Sequence, residues 1–161
     1  MNQPPELPPT EAPPGTDAAP PAGPVLWNPN AAAVWGLLLS PVFSAVLHMM
    51  NWQALGEPEK AHVAKQWVIG LVTATLGTTL VLIIWPESRQ LDTLSRIVGV
   101  ALLVAWYYGA GKAQATRVAA LYGRGYPRRG WIVPVLAALG LIVGLSFVFG
   151  GLDYLWQYRP R

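Results

Sequence analysis

The chain has 161 residues, 53% of them hydrophobic and only 12% charged, with a formal net charge of +3 and no cysteine. An ordinary soluble domain carries about 25% charged residues, so water is the wrong solvent for this chain. The lack of cysteine excludes disulfides, thiolate metal sites and cysteine nucleophiles.

Residues 1–27 read as a tail. Nine prolines fall between Pro4 and Pro24, and Met1 to Val25 carries Glu6, Glu11 and Asp17 without a single basic side chain. This does not have the form of a secretory signal, which begins with basic residues and continues into an apolar core. So little apolar surface cannot offset the entropy of ordering, and the tail is expected to be disordered with polyproline II character. Without basic residues beside its prolines, it reads as a solvated tether before a ligand for a proline-binding module.

After residue 28 come four stretches free of Asp, Glu, Lys and Arg: Ala31 to Met50, Gln66 to Trp85, Ile97 to Gly111 and Trp131 to Gly151. A hydrocarbon core about 30 Å thick asks for about 20 apolar residues in a helix. The expectation is an all-α integral membrane bundle over 28–161, with four transmembrane helices in two hairpins spanning about 31–50, 66–85, 95–112 and 131–151. The third stretch is short, but Arg96 and Lys112 can snorkel from its ends.

Asn28-Pro29 supplies a cap and a first helical residue for the first helix, which the pattern carries through a kink at Pro41 to Leu55, with Gly56 as its stop. Ser40 and Ser44 lie close enough to help satisfy the backbone loosened there. Glu57-Pro58 opens the second helix, and Trp67 and Trp85 place an indole at each interface. Asp92 is the expected cap of the third helix, which meets no breaker before Gly123 and so projects beyond the bilayer to Tyr122. Each half thus repeats one plan, a helix that overruns the bilayer, a glycine stop, a proline and a returning helix.

Charge sets the orientation. The two turn regions hold Lys60, Lys65, Lys112, Arg117, Arg124, Arg128 and Arg129, against Arg89, Arg96, Arg159 and Arg161 on the opposite side. The positive-inside rule places both turns in the cytoplasm and, with four spans, both termini outside.

Close packing between helices in lipid depends on small residues. The candidates are Gly77 with Thr73, Ala105 and Gly109 with Ala101, and the GxxxG pair Gly140 and Gly144, which serve packing within one bundle or, as the alternative, a homodimer.

Candidate chemistry is sparse. The spans hold no ionisable residue at mid-depth, as a proton relay or ion-coupled carrier would need. His48 and His62 read as interfacial or solvated, too few for a metal site. No catalytic, cofactor-binding or metal-binding residue stands out, and no cofactor is expected; Gly109-Ala110-Gly111-Lys112 lacks the spacing and the strand of a phosphate loop. Nucleic acid is not an expected partner, because the basic residues beside apolar spans face anionic lipid. The Thr73, Thr75, Thr78 and Thr79 cluster could line a polar seam, although such hydroxyls can return to their own backbone.

Trp27-Asn28-Pro29-Asn30-Ala31-Ala32-Ala33, Ser40-Pro41, Leu47-His48 and Asn51-Trp52-Gln53-Ala54-Leu55-Gly56-Glu57-Pro58 with Lys60-Ala61 resemble a group of small bacterial membrane proteins of unassigned function. So do Gly111-Lys112-Ala113-Gln114 and Tyr126-Pro127-Arg128-Arg129-Gly130-Trp131. The resemblance covers roughly 27–134 and implies a multi-pass bacterial inner membrane protein with four helices, and it brings no catalytic residues to transfer. Relatives of this kind with small soluble domains ahead of the first helix imply an inside amino terminus, against the charge count.

The sequence reading is therefore a non-enzymatic membrane protein that acts through contacts. Its lipid or partner surface is expected at Asn51, Trp52, Arg117, Arg124, Arg128, Arg129 and Trp131, facing anionic headgroups or a membrane protein partner. The alternatives are a small channel or carrier for an uncharged solute and an immunity protein against a membrane-acting bacterial toxin.

Overall fold

The structure, a computed structural model, describes residues 23–85 and 87–158. The expected disordered tail, apart from its last few residues, lies outside them, as do Arg159 and Arg161 of the charge count. The described residues are helical: α1 Pro29–Leu38, α2 Pro41–Ala54, α3 Pro58–Ile84, α4 Arg89–Trp106, a π-helical turn Tyr107–Gly111, α5 Lys112–Tyr122 and α6 Ile132–Gln157. Three helical stretches are long and apolar enough to cross a membrane: Pro58–Ile84, the continuous Arg89–Tyr122 and Ile132–Gly151.

The fourth expected span, 31–50, is not one helix. Asn28 caps α1 as expected, its Oδ1 accepting from the N–H groups of Asn30 (3.0 Å) and Ala31 (3.3 Å), with Pro29 in the first turn. The helix ends at Leu38, because Ser40 is extended (φ −174°, ψ 155°). Ser40 Oγ then accepts from Phe43 N–H at 3.1 Å, and Pro41 opens α2. A proline disfavours helical geometry in the residue before it and suits the first position of the next helix, so Ser40-Pro41 acts as a stop and a restart where a kink was expected. Ten and fourteen residues make helices of about 15 and 21 Å, short of the 30 Å of a hydrocarbon core.

The two short helices form an antiparallel hairpin. Ser44 Oγ donates to the Ala32 carbonyl at 2.6 Å, and His48 Nε2 lies 3.1 Å from the Pro29 carbonyl, so contact partners run in opposite directions along the chain. Gly36 permits this approach, since a Cβ there would collide with Ser44. The hairpin returns the chain to the end at which it began. Residues 25–28 therefore lie beside Asn51, not at the far end of a span, which corrects the expectation that the first helix separates them.

Further along the chain, the expected boundaries mostly hold. Gly56 (φ +70°) and Gly123 (φ +56°) end α2 and α5 in the left-handed region that favours glycine. Ser88 rather than Asp92 caps α4, accepting from Leu91 N–H at 3.4 Å, while Asp92 sits in the first turn and pairs with Arg96.

Packing is concentrated at one end. The buried clusters are Leu26 with Val118 and Tyr126, Trp27 with Ala32 and Leu47, Ala45 with Leu71 and Trp106, and Trp52 with Ala61 and Ala64. Among the described side chains, none from Val72 to Ala105 and none in α6 is buried. The small-residue seams expected in the spans are correspondingly open. A Cβ at Gly77, Gly140 or Gly144 would meet nothing within 4 Å, and Ala105 is exposed; only Gly109 is tight, against Trp67. Large side chains, Trp67, Leu71, Leu103 and Trp106, join the helices instead.

Candidate functional site

The packed end is built around polar side chains. Ser44, His48 and Asn51 stand at intervals of four and three on α2, which puts them on one face. That stripe is buried: Ser44 is 0%, His48 2% and Asn51 1% exposed. Buried polar groups are tolerable only when hydrogen-bonded, and this face faces backbone groups that need partners. Asn51 Oδ1 accepts from Trp27 N–H (3.0 Å) while its Nδ2 donates to Trp27 O (2.8 Å), so one amide side chain pairs with a backbone residue as a neighbouring strand would.

α5 joins through Gln114, which is fully buried. Its Nε2 donates to the His48 carbonyl at 2.7 Å and its Oε1 accepts from Asn51 Nδ2 at 3.3 Å. Trp106 approaches the same face, with its indole edge-on to the His48 ring at 4.8 Å between centroids. On an ideal α-helix, residues eight apart fall about 80° apart around the axis. The wider π turn between Trp106 and Gln114 changes that phase, and both side chains meet α2. Glycines permit the fit, since a Cβ at Gly109 would come within 2.9 Å of Trp67, and one at Gly111 within 3.2 Å of Trp106.

The cluster is thus a clasp linking residues 27–29, α2 and α5. Because a carbonyl can only accept, the His48 nitrogen facing Pro29 carries the hydrogen, and in the neutral ring Nδ1 is then a lone-pair acceptor. His48 Nδ1 and Trp106 Nε1 are buried without a hydrogen-bond partner among the described residues. Ser44, one turn before His48 on α2, gives its hydroxyl hydrogen to the Ala32 carbonyl.

Around the clasp lies a rim of cations resting on aromatic rings. Arg129 stands 4.6 Å above Trp27, Lys60 4.7 Å above Trp52, Arg128 5.7 Å from Tyr126 and Lys112 5.8 Å from Tyr108. Glu57 accepts a 2.9 Å hydrogen bond from Arg117 Nε and pairs with Lys60. Lys60 first, then Arg117, hold its carboxyl below the usual carboxylate range. Trp27 Nε1 donates to Gly130 O (3.1 Å), and Trp35 and Trp131 lie 6.1 Å apart.

Of the expected contact surface, Arg117, Arg128 and Arg129 make rim contacts, Arg124 is exposed on the same loop as Arg128 and Arg129, and Trp131 is half-buried. Asn51 and Trp52 do not belong to it as surface. Asn51 is consumed by the clasp and Trp52, 3% exposed, packs on Ala61 and Ala64, so their role is to hold the rim in place. His48 is likewise internal, where an interfacial or solvated position was expected. The sequence did carry a signal for these residues, a polar stripe at 44, 48 and 51 inside an apolar run. Gln114 and Trp106 offered none, because the π turn breaks the helical period.

A second feature lies between α3 and α4, a groove of about 250 Å³ lined by Thr75, Thr78, Thr79, Ser95, Arg96 and Gly99 among others. The three threonine hydroxyls donate to the carbonyls of Leu71, Ala74 and Thr75 at 2.8 to 2.9 Å. Only their lone pairs remain for a solute.

No protein-family model matches the chain, and neither a curated protein nor a solved structure matches it.

Proposed function

We propose that the chain is a non-enzymatic membrane protein with three spans and a re-entrant helical hairpin, whose basic rim engages anionic lipid headgroups. The carrying observation is the rim itself: four cations held against aromatic rings at the one end of the molecule that is packed. Trp and Tyr favour the headgroup level of a bilayer, and each nearby Lys or Arg adds about 1 kcal/mol of attraction to an anionic surface. Removing three such charges therefore weakens headgroup binding by up to about a hundredfold.

With three spans, the positive-inside rule places the rim and the residues before α1 on the cytoplasmic side and the carboxyl end outside. An inside amino terminus agrees with the resemblance to small bacterial inner membrane proteins, which also motivates the assignment to that membrane.

The test is the amount of phosphatidylglycerol, relative to phosphatidylcholine, that stays with the protein through detergent exchange. The R124Q/R128Q/R129Q variant retains less, and the preference of the native chain falls with salt. Equal retention of the two lipids by the native chain contradicts the proposal. The α3–α4 groove supports a second reading, a carrier for an uncharged solute, which solute flux into proteoliposomes would reveal. The immunity-protein alternative has no residue in the structure that favours it.

A further inference from the structure

We infer that the acidic leader of this chain, residues 1–22, docks on the chain's own basic rim and competes there with anionic lipid. The inference rests on the headgroup-binding reading for what is displaced, but the docking contact stands on separate observations.

The first is where the leader leaves the fold. Leu26 N–H donates to Pro127 O at 3.1 Å, and Arg129 N–H donates to Leu26 O at 2.9 Å, so the chain enters as a short parallel bridge with the arginine-bearing loop. Gly23 lies against the Tyr122 ring, so close that a Cβ there would meet Cδ1 at 2.8 Å. Tyr122 is two residues from Arg124. Gly23, the point at which the leader joins the described fold, is therefore held beside the loop that bears Arg124, Arg128 and Arg129, and would not be had α1 and α2 formed a single crossing helix.

The second is charge. The leader carries Glu6, Glu11 and Asp17 and no Lys or Arg. The rim region from Asn51 to Gln66 and Lys112 to Gly130 holds Lys60, Lys65, Lys112, Arg117, Arg124, Arg128 and Arg129 against Glu57 and Glu59. Glu57 already serves Lys60 and Arg117, while Arg124 has no ion pair among the described residues.

The third is reach. At no more than about 3.5 Å per residue, Asp17 can lie about 20 Å from Gly23 and Glu11 about 40 Å. The loop that bears Arg124 and Arg128 is well within that range. Single exposed ion pairs are weak, but a tether turns docking into an intramolecular event with a high effective concentration. Three acids on a short leash can thus compete with the headgroups of the surrounding bilayer.

The experiment uses the full chain in vesicles. With p-benzoyl-phenylalanine at Pro14, in phosphatidylcholine alone, photocrosslinks are mapped by mass spectrometry. Docking predicts intrachain crosslinks within 117–131 at low salt. They should fade in 0.5 M salt, where screening shortens electrostatic range to a few ångströms, and in the E6Q/E11Q/D17N variant. In vesicles that contain phosphatidylglycerol, the same variant should retain severalfold more of that lipid than the native chain.

Crosslinks that miss this loop, or that survive neutralisation of the three acids, overturn the inference, and so do crosslinks that join two chains. If the loop crosslinks as predicted while no variant shows any preference for phosphatidylglycerol, the docking contact stands and the headgroup reading is what fails.

Discussion

The two ends of the molecule are built on different physics. At the basic end, α1, α2, α5 and the segment before α1 bury tryptophans and a polar clasp; at the other, α3 and α4 carry no buried side chain among the described residues beyond Leu71 and before Trp106. Charge follows the same division. The packed end is rich in Lys and Arg, whereas Glu87, Arg89, Asp92 and Arg96 balance one another at the turn between α3 and α4. Three helical stretches are long and apolar enough to cross a membrane, and a bilayer around them would account for the contrast. Lipid offers apolar helices no hydrophobic reason to associate, so the parts that must keep one shape are joined by hydrogen bonds and large side chains.

If that division is real, substitutions at the clasp should act far more strongly than substitutions in the open spans. Asn51→Leu removes both hydrogen bonds to the Trp27 backbone and one to Gln114, and each orphaned group costs about 1 to 3 kcal/mol. The expected loss is about 3 kcal/mol or more, read as a lowered midpoint in detergent unfolding followed by tryptophan fluorescence. Gly109→Leu drives a side chain into Trp67 and should cost about 1 to 3 kcal/mol in the same assay.

The Glu57 contacts predict a smaller, pH-dependent effect. Because Lys60 and Arg117 lower its folded-state pKa from 4.5, their stabilisation is fully present above that value and disappears as pH falls through the depressed one. Native protein and Glu57→Gln should therefore converge in unfolding midpoint on acidification. Smallest of all should be Gly144→Leu, within about 0.5 kcal/mol, since a side chain there meets open space. A large loss at Gly144 would instead place α6 in a packed interface and undo the contrast.

Much of this architecture was legible in the residues. Asn28-Pro29, Glu57-Pro58, Gly56 and Gly123 marked helix ends because caps and left-handed glycines are local devices. The hairpin was not legible in the same way. Ser40-Pro41 carries one local signal for two outcomes, a kink or a restart, and Gly36 against Ser44 decides between them only once the helices meet. At the site, Arg128 and Arg129 stood in the expected surface, whereas Lys60 and Lys112, which rest on rings in the same way, did not. Arg124, Arg128 and Arg129 show as a charge cluster, while Gln114 and Trp106 converge on His48 through a π turn with no signature in periodicity.

The account turns on the return of the chain between α1 and α2. The native sequence has no cysteine, so single cysteines at Val25, Arg124 and Glu87 can each be probed with a membrane-impermeant maleimide in sealed vesicles of known orientation. Val25→Cys and Arg124→Cys should be labelled from the same side, and Glu87→Cys from the other. Labelling of Val25→Cys together with Glu87→Cys, opposite Arg124→Cys, would restore a single crossing helix over 31–50 and contradict the account.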